Sequence, residues 1–298
     1  MHDHSQHSHN HGISGNRIGW AFVLNAGFCV IEFIGGFLTN STAIMADAVH
    51  DLGDSLSIGF AWLLERLSKK NPDQVFTYGY RRLSLFGALI NSIILVVGSS
   101  WVLFVSVPRL FDPQMPLAEG MLALAVLGIA VNGFAAYKLS GGNTMNEKVL
   151  NWHLLEDVLG WVAVLLVSIA LLFVDWPILD PLLAIIFTTF ILFNVYKHFK
   201  ETLKIFFQAA PASLLVNKIN QELNKLEQVE SIHHEHCWSL DGEHHVYTAH
   251  LQLGMALSTS EQQNLKKLIA EKLRPFNLTH TTIELEFPDE ACRDFQAY

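Results

Sequence analysis

The sequence predicts an α-helical membrane protein with six transmembrane helices, followed by a small α+β domain. Of its 298 residues, 51% are hydrophobic and only 16% are charged, whereas soluble domains average about a quarter charged residues. The deficit of charge is concentrated in residues 17–207, and the polarity of the C-terminal part is ordinary. The formal net charge of −9 argues against a nucleic-acid partner.

Six stretches are long and apolar enough to cross a bilayer, which takes about 20 mostly apolar residues per helix. The segments between them contain helix breakers or charges, such as SKKNPDQ, FDPQMP and DWPILDP. The predicted helices cover residues 17–38, 43–67, 82–106, 116–139, 149–174 and 178–199 within a membrane domain of residues 17–207.

Basic residues predict the orientation of these helices, because cytoplasmic loops are enriched in lysine and arginine. Arg109 is the one basic residue in the first, third and fifth connections. The second and fourth connections and the exit from the sixth helix carry Lys69, Lys70, Arg81, Arg82, Lys138, Lys148, Lys197, Lys200 and Lys204. Both termini are therefore expected in the cytoplasm.

Residues 1–16 are polar and histidine-rich, and they have neither the apolar core nor the cleavage site of a signal peptide. We expect a disordered cytoplasmic tail whose histidines chelate zinc weakly, with an inert tail as the alternative. These histidines are His2, His4, His7, His9 and His11.

Residues 208–298 are predicted to form a two-layer domain with the element order αββαβ. An Asp241-Gly242 turn joins the first two strands. The three cysteines, Cys29, Cys237 and Cys292, are too scattered for a disulfide framework. Helices are expected over 212–226 and 259–273, and strands over 229–238, 244–254 and 281–287.

Two histidines are embedded in the predicted membrane helices, and each precedes an aspartate by four residues: His50 with Asp54, and His153 with Asp157. Residues i and i+4 share one face of a helix, so each helix presents an imidazole and a carboxylate. Two nitrogens and two oxygens suit a tetrahedral zinc ion, and imidazole disfavours magnesium and calcium. A single His–Asp pair could equally be a hydrogen-bonded contact that only packs two helices together. Two such pairs in the membrane helices favour a functional metal site.

Further polar residues accompany the two pairs. Asp47 lies one turn nearer the predicted outer end of the second helix. Two roles are equally expected there: it receives a departing cation, or it only stabilises the helix N-terminus. Asp51 and Glu156 are candidates to orient the histidines from outside the ligand shell. Asn25 and Glu32 of the first helix are candidates to line the same cavity, although interhelical hydrogen bonding also explains Asn25.

Four features together resemble the cation diffusion facilitators, and among them the bacterial zinc-transporting branch. They are NSTAIMADAVHDLGDS, YGYRRLSLFGALIN, the His153/Asp157 pair and IHHEHCWSLDGEHHVYTAHLQL. The resemblance implies a homodimer of six-helix subunits in the bacterial inner membrane, with a ferredoxin-like cytoplasmic domain. It also implies efflux of cytoplasmic Zn²⁺ in exchange for protons, and the sequence leaves Cd²⁺ or Co²⁺ open as other cargo. The implied transport site is His50, Asp54, His153 and Asp157.

The resemblance places a regulatory zinc in the cytoplasmic domain at His233, His250 and Glu286, with His234 or a residue of a partner subunit closing the shell. A solvated sheet face is the preferred interpretation of His234, His236, His244 and His245. The connection NPDQVFTYGYRR lacks the histidines that hold a loop metal in some relatives, so none is expected there. Cys292 lacks the second cysteine of the Cys-x-x-Cys pair that binds a further ion in others.

Three other classes of membrane protein are alternatives to a transporter. A haem protein needs two axial histidines but no aspartate one turn from each, and the chain has no His-Glu-x-x-His motif of a metalloprotease. The protein is therefore expected to be a secondary transporter, not an enzyme. A membrane-bound zinc sensor without transport is the alternative.

Overall fold

A computed structural model describes residues 11–68, 70–140, 145–211 and 213–293. Within these ranges, the side chains of residues 11–21, 61–62, 65–66, 68, 139, 145–150 and 213–214 are outside the description.

Six long helices follow one another from residue 11 to residue 206. Each covers most of a predicted transmembrane segment, and most extend beyond it. They are α1 (His11–Thr39), α2 (Thr42–Ser68), α3 (Arg82–Arg109), α4 (Ala118–Leu139), α5 (Met145–Phe173) and α6 (Leu179–Phe206).

Helix α1 begins at His11, within the segment predicted as a tail through residue 16; the disorder of the tail stays a prediction. The apolar helix that follows supplies the nucleus, and a helix that already exists gains further residues at little cost. The earlier part of the predicted tail, with His2, His4, His7 and His9, lies outside the described residues.

Five of the six helices are long and apolar enough to cross a membrane by their described residues, and α2 is the exception. Helix α2 has the required length of 27 residues, but Asp47, Asp51 and Asp54 interrupt its apolar sequence. The polar interruption therefore falls on the helix that carries half of the predicted transport site.

A buried carboxylate fixes the start of α2. Asp180, at the beginning of α6, accepts hydrogen bonds from the backbone N–H of Thr42 at 2.7 Å and from the Thr42 hydroxyl at 2.8 Å. The Ser41 hydroxyl and the Ala43 N–H also donate to it. These groups satisfy orphan donors of the helix N-terminus and place a negative charge at its positive end.

The described chain divides into two compact units. The described residues up to 63 and those within 90–199 form the first unit, and those within 64–89 and from 200 onward form the second. In the first unit, Trp161 of α5 is fully buried and meets Phe28 of α1 edge to face, with ring centroids 5.5 Å apart. A Cβ on Gly128 of α4 would lie 2.3 Å from the Trp161 ring, so only glycine permits this close packing of α4 on α5.

The second unit contains the predicted αββαβ domain. Its elements are α7 (Ser213–Leu223), β1 (Val229–Ser239), β2 (His245–Leu253), α8 (Thr259–Leu273) and β3 (Leu278–Glu286). The sheet has the order β1-β2-β3, antiparallel between β1 and β2 and parallel between β2 and β3. A core of α7, α8 and sheet residues includes Ile219, Leu223, Tyr247, Leu251 and Leu265. The predicted fold class is confirmed.

Strand β3 begins at Leu278, three residues before the predicted start. A short 3-10 turn follows α8 and ends at Asn277, which adopts the left-handed conformation with φ of 54°. The Asn277 side chain donates a hydrogen bond to the carbonyl of Glu243 at 3.0 Å. This contact brings the chain alongside β2 at once, so Leu278 already pairs with His245.

Candidate metal centres

Helices α2 and α5 run antiparallel and bring their polar pairs together. Asp54 of α2 lies beside His153 of α5. Farther along the two helices, Asp47 of α2 lies beside Gly160 of α5, and a Cβ built on Gly160 would be 3.8 Å from Asp47 Oδ1. Both pairs lie in the first half of their helices. Because the helices are antiparallel, they meet offset along their axes by roughly 10 Å.

Three of the four predicted transport ligands converge. His50, Asp54 and His153 each offer a donor atom within 4.8 Å of the other two. His153 Nε2 is 2.7 Å from Asp54 Oδ2, and His50 Nε2 is 3.5 Å from the same oxygen. The two imidazole rings are 5.6 Å apart. A tetrahedral zinc ion places its ligand atoms about 3.3–3.8 Å from one another, so this cluster is close to the required spacing.

Asp157 lies at the edge of the cluster. Its Oδ2 is 3.9 Å from His153 Nε2, and its side chain is buried. That oxygen has no hydrogen-bond partner among the described residues. A buried carboxylate oxygen without a donor is costly unless it is protonated or meets a cation. Asp157 is therefore available to a metal held by the other three side chains.

Helix α1 closes the side of α2 that carries Asp51. The Asn25 amide donates to the Asp51 carbonyl at 3.4 Å and to the Ser55 hydroxyl at 3.2 Å. Cys29 Sγ donates to the Ala48 carbonyl at 3.4 Å. Glu32, farther along α1, is fully buried, and neither of its oxygens has a hydrogen-bond partner among the described residues.

The three auxiliary acids differ in their surroundings. Asp47 and Asp51 are buried at 7% and 1% exposure, whereas Glu156 is exposed. Within the described part of the chain, His50 Nδ1 is buried without a hydrogen-bond partner. The orienting role of Asp51 and Glu156 therefore stays a prediction, and Asp47 is the acid that faces α5.

In the αββαβ domain, the predicted ligands also converge. His233 Nε2 is 2.8 Å from Glu286 Oε2, and His250 Nδ1 is 2.7 Å from Glu286 Oε1. The register of the sheet produces this arrangement, since His233 pairs with His250 on the adjacent strand. Although His233 Nε2 and Glu286 Oε2 lie close together, neither atom has a hydrogen-bond partner among the described residues. This is expected where the lone pairs of both atoms point toward one ion.

Cys292 joins this cluster, which the sequence did not predict. Its Sγ is 3.3 Å from His250 Nδ1, and it completes a group of four donors that lie within 4.8 Å of one another. A turn returns the chain after β3: Asp289 has φ of 68°, and Glu290 N–H donates to the Phe287 carbonyl. The only sequence signal was the Pro-Asp dipeptide of this turn. Two nitrogens, an oxygen and a sulfur suit zinc.

Two of the histidines expected on a solvated sheet face also make specific contacts. His234 is exposed, as expected, but it has φ of 48° at a bulge of β1, and its ring is 4.8 Å from that of His250. It lines the cleft beside the four donors. His244 is hydrogen-bonded through both ring nitrogens, to Asp241 and Arg81.

Comparison with known families decides the relationship. A model of the cation efflux transmembrane domain matches residues 20–207, and a model of the cytoplasmic domain of cation efflux proteins matches residues 211–287. The chain belongs to the cation efflux family. The predicted resemblance to the cation diffusion facilitators is confirmed.

Individual cation efflux proteins resemble this chain over most of their length. A cadmium, cobalt and zinc/H⁺-K⁺ antiporter of Bacillus subtilis is 31% identical over 94% of this chain and 91% of that protein. The zinc transporter ZitB of Pectobacterium atrosepticum is 30% identical over 97% of this chain and 90% of its own length. The metal cation efflux system protein CzcD of Cupriavidus metallidurans is 27% identical over 94% of this chain and 89% of that protein.

The cation efflux family is one of membrane transporters for metal ions and not of enzymes. Membership therefore supports the predicted efflux of divalent metal through a multi-pass membrane domain.

Proposed function

We propose that this protein exports Zn²⁺ from the cytoplasm in exchange for protons, through a site formed by His50, Asp54, His153 and Asp157. The observation that carries the proposal is the convergence of one His–Asp pair from α2 with another from α5. The contact between Asp54 Oδ2 and His153 Nε2, 2.7 Å apart, joins the two pairs.

Proton exchange follows from the ligand chemistry. Imidazole binds a metal through a neutral nitrogen, and a carboxylate binds through an ionised oxygen, so metal and protons compete for the same atoms. Protons that arrive from the outer face displace zinc, and their loss to the cytoplasm restores the site. Access must alternate between the two faces, as in other secondary transporters.

The cargo class follows from the donor atoms. Imidazole nitrogen favours Zn²⁺ and Co²⁺ over the hard ions Mg²⁺ and Ca²⁺. Relatives named for zinc, cadmium and cobalt support these three ions as cargo. Zinc is the first choice for a site of two nitrogens and two carboxylate oxygens.

We further propose an inner-membrane homodimer with both termini in the cytoplasm. The lysine and arginine distribution supports the orientation, bacterial relatives support the compartment, and the match to the cytoplasmic domain supports dimerisation. In this orientation, the tail histidines His2, His4, His7, His9 and His11 hold zinc weakly near the cytoplasmic entrance. Asp47, toward the outer end of α2, receives zinc on its way out.

The four-donor cluster of the cytoplasmic domain supports a second role for zinc. Ions bound at His233, His250, Glu286 and Cys292 would report the cytoplasmic zinc concentration. This cluster also favours the alternative of a zinc sensor without transport.

Zinc flux through proteoliposomes separates the two functions. We expect zinc uptake coupled to proton counterflow in the parent protein. The His50→Ala and Asp157→Ala variants should lose flux, while Asp175→Asn, which changes an exposed acid outside the site, should keep it. Zinc binding without flux in the parent would support the sensor, and full flux in either site variant would contradict the four-ligand site.

A further inference from the structure

The connection between α2 and α3, here called the α2–α3 loop (residues 70–81), is held in one conformation by hydrogen bonds between its own residues. Asp73 Oδ1 accepts hydrogen bonds from the N–H groups of Val75 at 2.9 Å and Phe76 at 2.8 Å. The Tyr80 hydroxyl donates to the other oxygen of Asp73, and Lys70 Nζ donates to Tyr80 at 3.2 Å. The Phe76 N–H, helped by Tyr80, lowers the pKa of Asp73 to about 2. The loop therefore keeps this shape throughout the neutral range.

The α2–α3 loop contacts the β1–β2 hairpin and β3 within the second unit. The Tyr78 ring meets the rings of His280 and Trp238 edge to face, at 5.0 and 6.4 Å between centroids. Arg81, immediately before α3, reaches the hairpin turn: its Nη1 is 2.9 Å from His244 Nε2 and 3.8 Å from Asp241 Oδ2.

The hairpin turn presents His244 in one orientation. Asp241 Oδ1 accepts the backbone N–H of His244 at 2.8 Å, and Asp241 Oδ2 lies 2.7 Å from His244 Nδ1. Gly242 has φ of 101°, a conformation that favours glycine, and its N–H donates to the Ser239 hydroxyl at 2.8 Å. The imidazole thus lies between a carboxylate and a guanidinium that come from different parts of the chain.

Only one protonation state of His244 fits between these partners. A guanidinium has donors and no acceptor, so His244 Nε2 must accept the hydrogen bond from Arg81. The other ring nitrogen, Nδ1, then carries the hydrogen and donates it to Asp241. A second proton would place an N–H on Nε2, directed at the Arg81 N–H, and two positive charges would face each other at 2.9 Å.

We propose that Arg81, His244 and Asp241 form a pH-sensitive latch that holds the α2–α3 loop on the cytoplasmic hairpin while His244 is neutral and releases it when His244 is protonated. Histidine is the side chain whose charge ordinarily changes near physiological pH. If the protein imports protons as it exports zinc, acidification at the cytoplasmic face would open the latch.

The other titratable groups at this contact do not replace His244. Burial alone would raise the pKa of Asp241, but hydrogen bonds from the His244 and Glu243 N–H groups and the His244 side chain lower it overall. Asp241 is therefore an ionised acceptor throughout the neutral range. Burial lowers the pKa of His245, against the pull of Asp241, which disfavours its charged form. Among the described residues at this contact, His280 is the other imidazole that touches the loop, through Tyr78, and it supplies the control.

The sign of the effect follows from proton linkage. The open form binds one proton more than the closed form, so opening is favoured as the pH falls. Where the open-state imidazole is protonated, the ratio of open to closed protein rises about tenfold for each unit of pH lost. In the mildly alkaline range the latch stays closed.

A distance between two spin labels tests the latch in the full-length protein. Labels at Val75→Cys and Glu243→Cys, both exposed positions, would be measured by double electron–electron resonance in lipid nanodiscs. The background carries Cys29→Ala, Cys237→Ala and Cys292→Ser. We expect a short distance at about pH 8 and a longer, broader one at about pH 5.5. Hydrogen exchange of peptides from residues 70–81 in the unmodified protein, corrected for intrinsic rates, should rise in parallel.

Three variants separate the latch from other causes. His244→Gln keeps a neutral acceptor near the Nε2 position, so its distance should stay short at both pH values. Arg81→Ala should give the long distance at both. His280→Gln should respond to pH as the parent does. A parent distance that ignores pH, or a His244→Gln variant that still opens in acid, would overturn the latch. Because the readout is a distance, this outcome is independent of whether zinc is transported.

Discussion

His153 Nε2 lies closer to Asp54 of α2, at 2.7 Å, than to the aspartate of its own helix, Asp157, at 3.9 Å. The candidate transport site is therefore assembled across two helices. A movement of α2 against α5 changes the distances between its ligands, which links metal affinity to the positions of the helices.

Asp54→Asn should weaken zinc binding more than Asp157→Asn does. Asp54 belongs to the three converged donors, and loss of a direct ligand costs more than the 10–100-fold typical of residues behind the ligands. We expect a loss of about 100-fold or more for Asp54→Asn. Asp157→Asn should cost less affinity but still stop flux, because Asp157 must approach to complete the four-ligand shell.

Titration calorimetry in detergent, in a His250→Ala background that disables the cytoplasmic cluster, measures these affinities. Asp175→Asn is the control, since Asp175 is an exposed acid outside the site. Equal affinities for Asp54→Asn and the parent would exclude Asp54 as a ligand.

His50→Asp should shift selectivity toward harder or larger ions. The substitution replaces an imidazole with a carboxylate, and carboxylate oxygen suits Mn²⁺ better than imidazole does. Competitive flux in proteoliposomes should show Mn²⁺ or Cd²⁺ gaining on Zn²⁺. His50→Asn, which adds no charge, separates donor type from charge. An unchanged order of metal preference would locate selectivity elsewhere in the protein.

Zinc should protect Cys292 from alkylation. Cys237 is buried, which raises the pKa of its thiol to about 11, so near pH 7.5 it is protonated and reacts slowly. Cys292 is only half-buried and should be the main cytoplasmic site of iodoacetamide labelling, as followed by mass spectrometry of tryptic peptides. Added zinc should suppress its labelling, and Glu286→Gln should remove most of that protection. Labelling that ignores zinc would exclude Cys292 from the metal cluster.

Asp180→Ala should destabilise the membrane domain. The substitution leaves the start of α2 without its buried acceptor, and the loss of such charge-assisted hydrogen bonds costs about 2–3 kcal/mol of unfolding free energy. A lower thermal midpoint in detergent is the expected result. Asp175→Ala changes an exposed acid five residues earlier and should leave the midpoint unchanged. An equal effect of both substitutions would argue against the capping role.

Much of the fold is readable from local sequence. Long apolar segments must form helices in a membrane, because hydrocarbon offers no partner for free backbone groups. The αββαβ order follows from period-two and helical patterns separated by turn residues. The start of α1 at His11 is less readable, because a helix propagates into polar sequence that its local composition does not predict.

The residues of the candidate transport site were also predictable from the sequence, but the distances between them were not. The spacing of His50 with Asp54, and of His153 with Asp157, assigns each pair to one helix face. That Asp54 rather than Asp157 lies nearest His153 depends on the axial offset of α2 and α5. Packing between these two helices decides that offset, for example the approach of Gly160 of α5 to Asp47 of α2.

The sequence by itself determined which residue types are candidates for the metal chemistry, since helical and strand periodicities place a side chain on a face without knowledge of its neighbours. Only the tertiary structure decided which faces meet. Cys292 joins His250 because a turn after β3 reverses the chain, and Arg81 reaches His244 across 163 residues of sequence. Contacts between distant segments depend on the packing of the whole chain, and no local pattern encodes them.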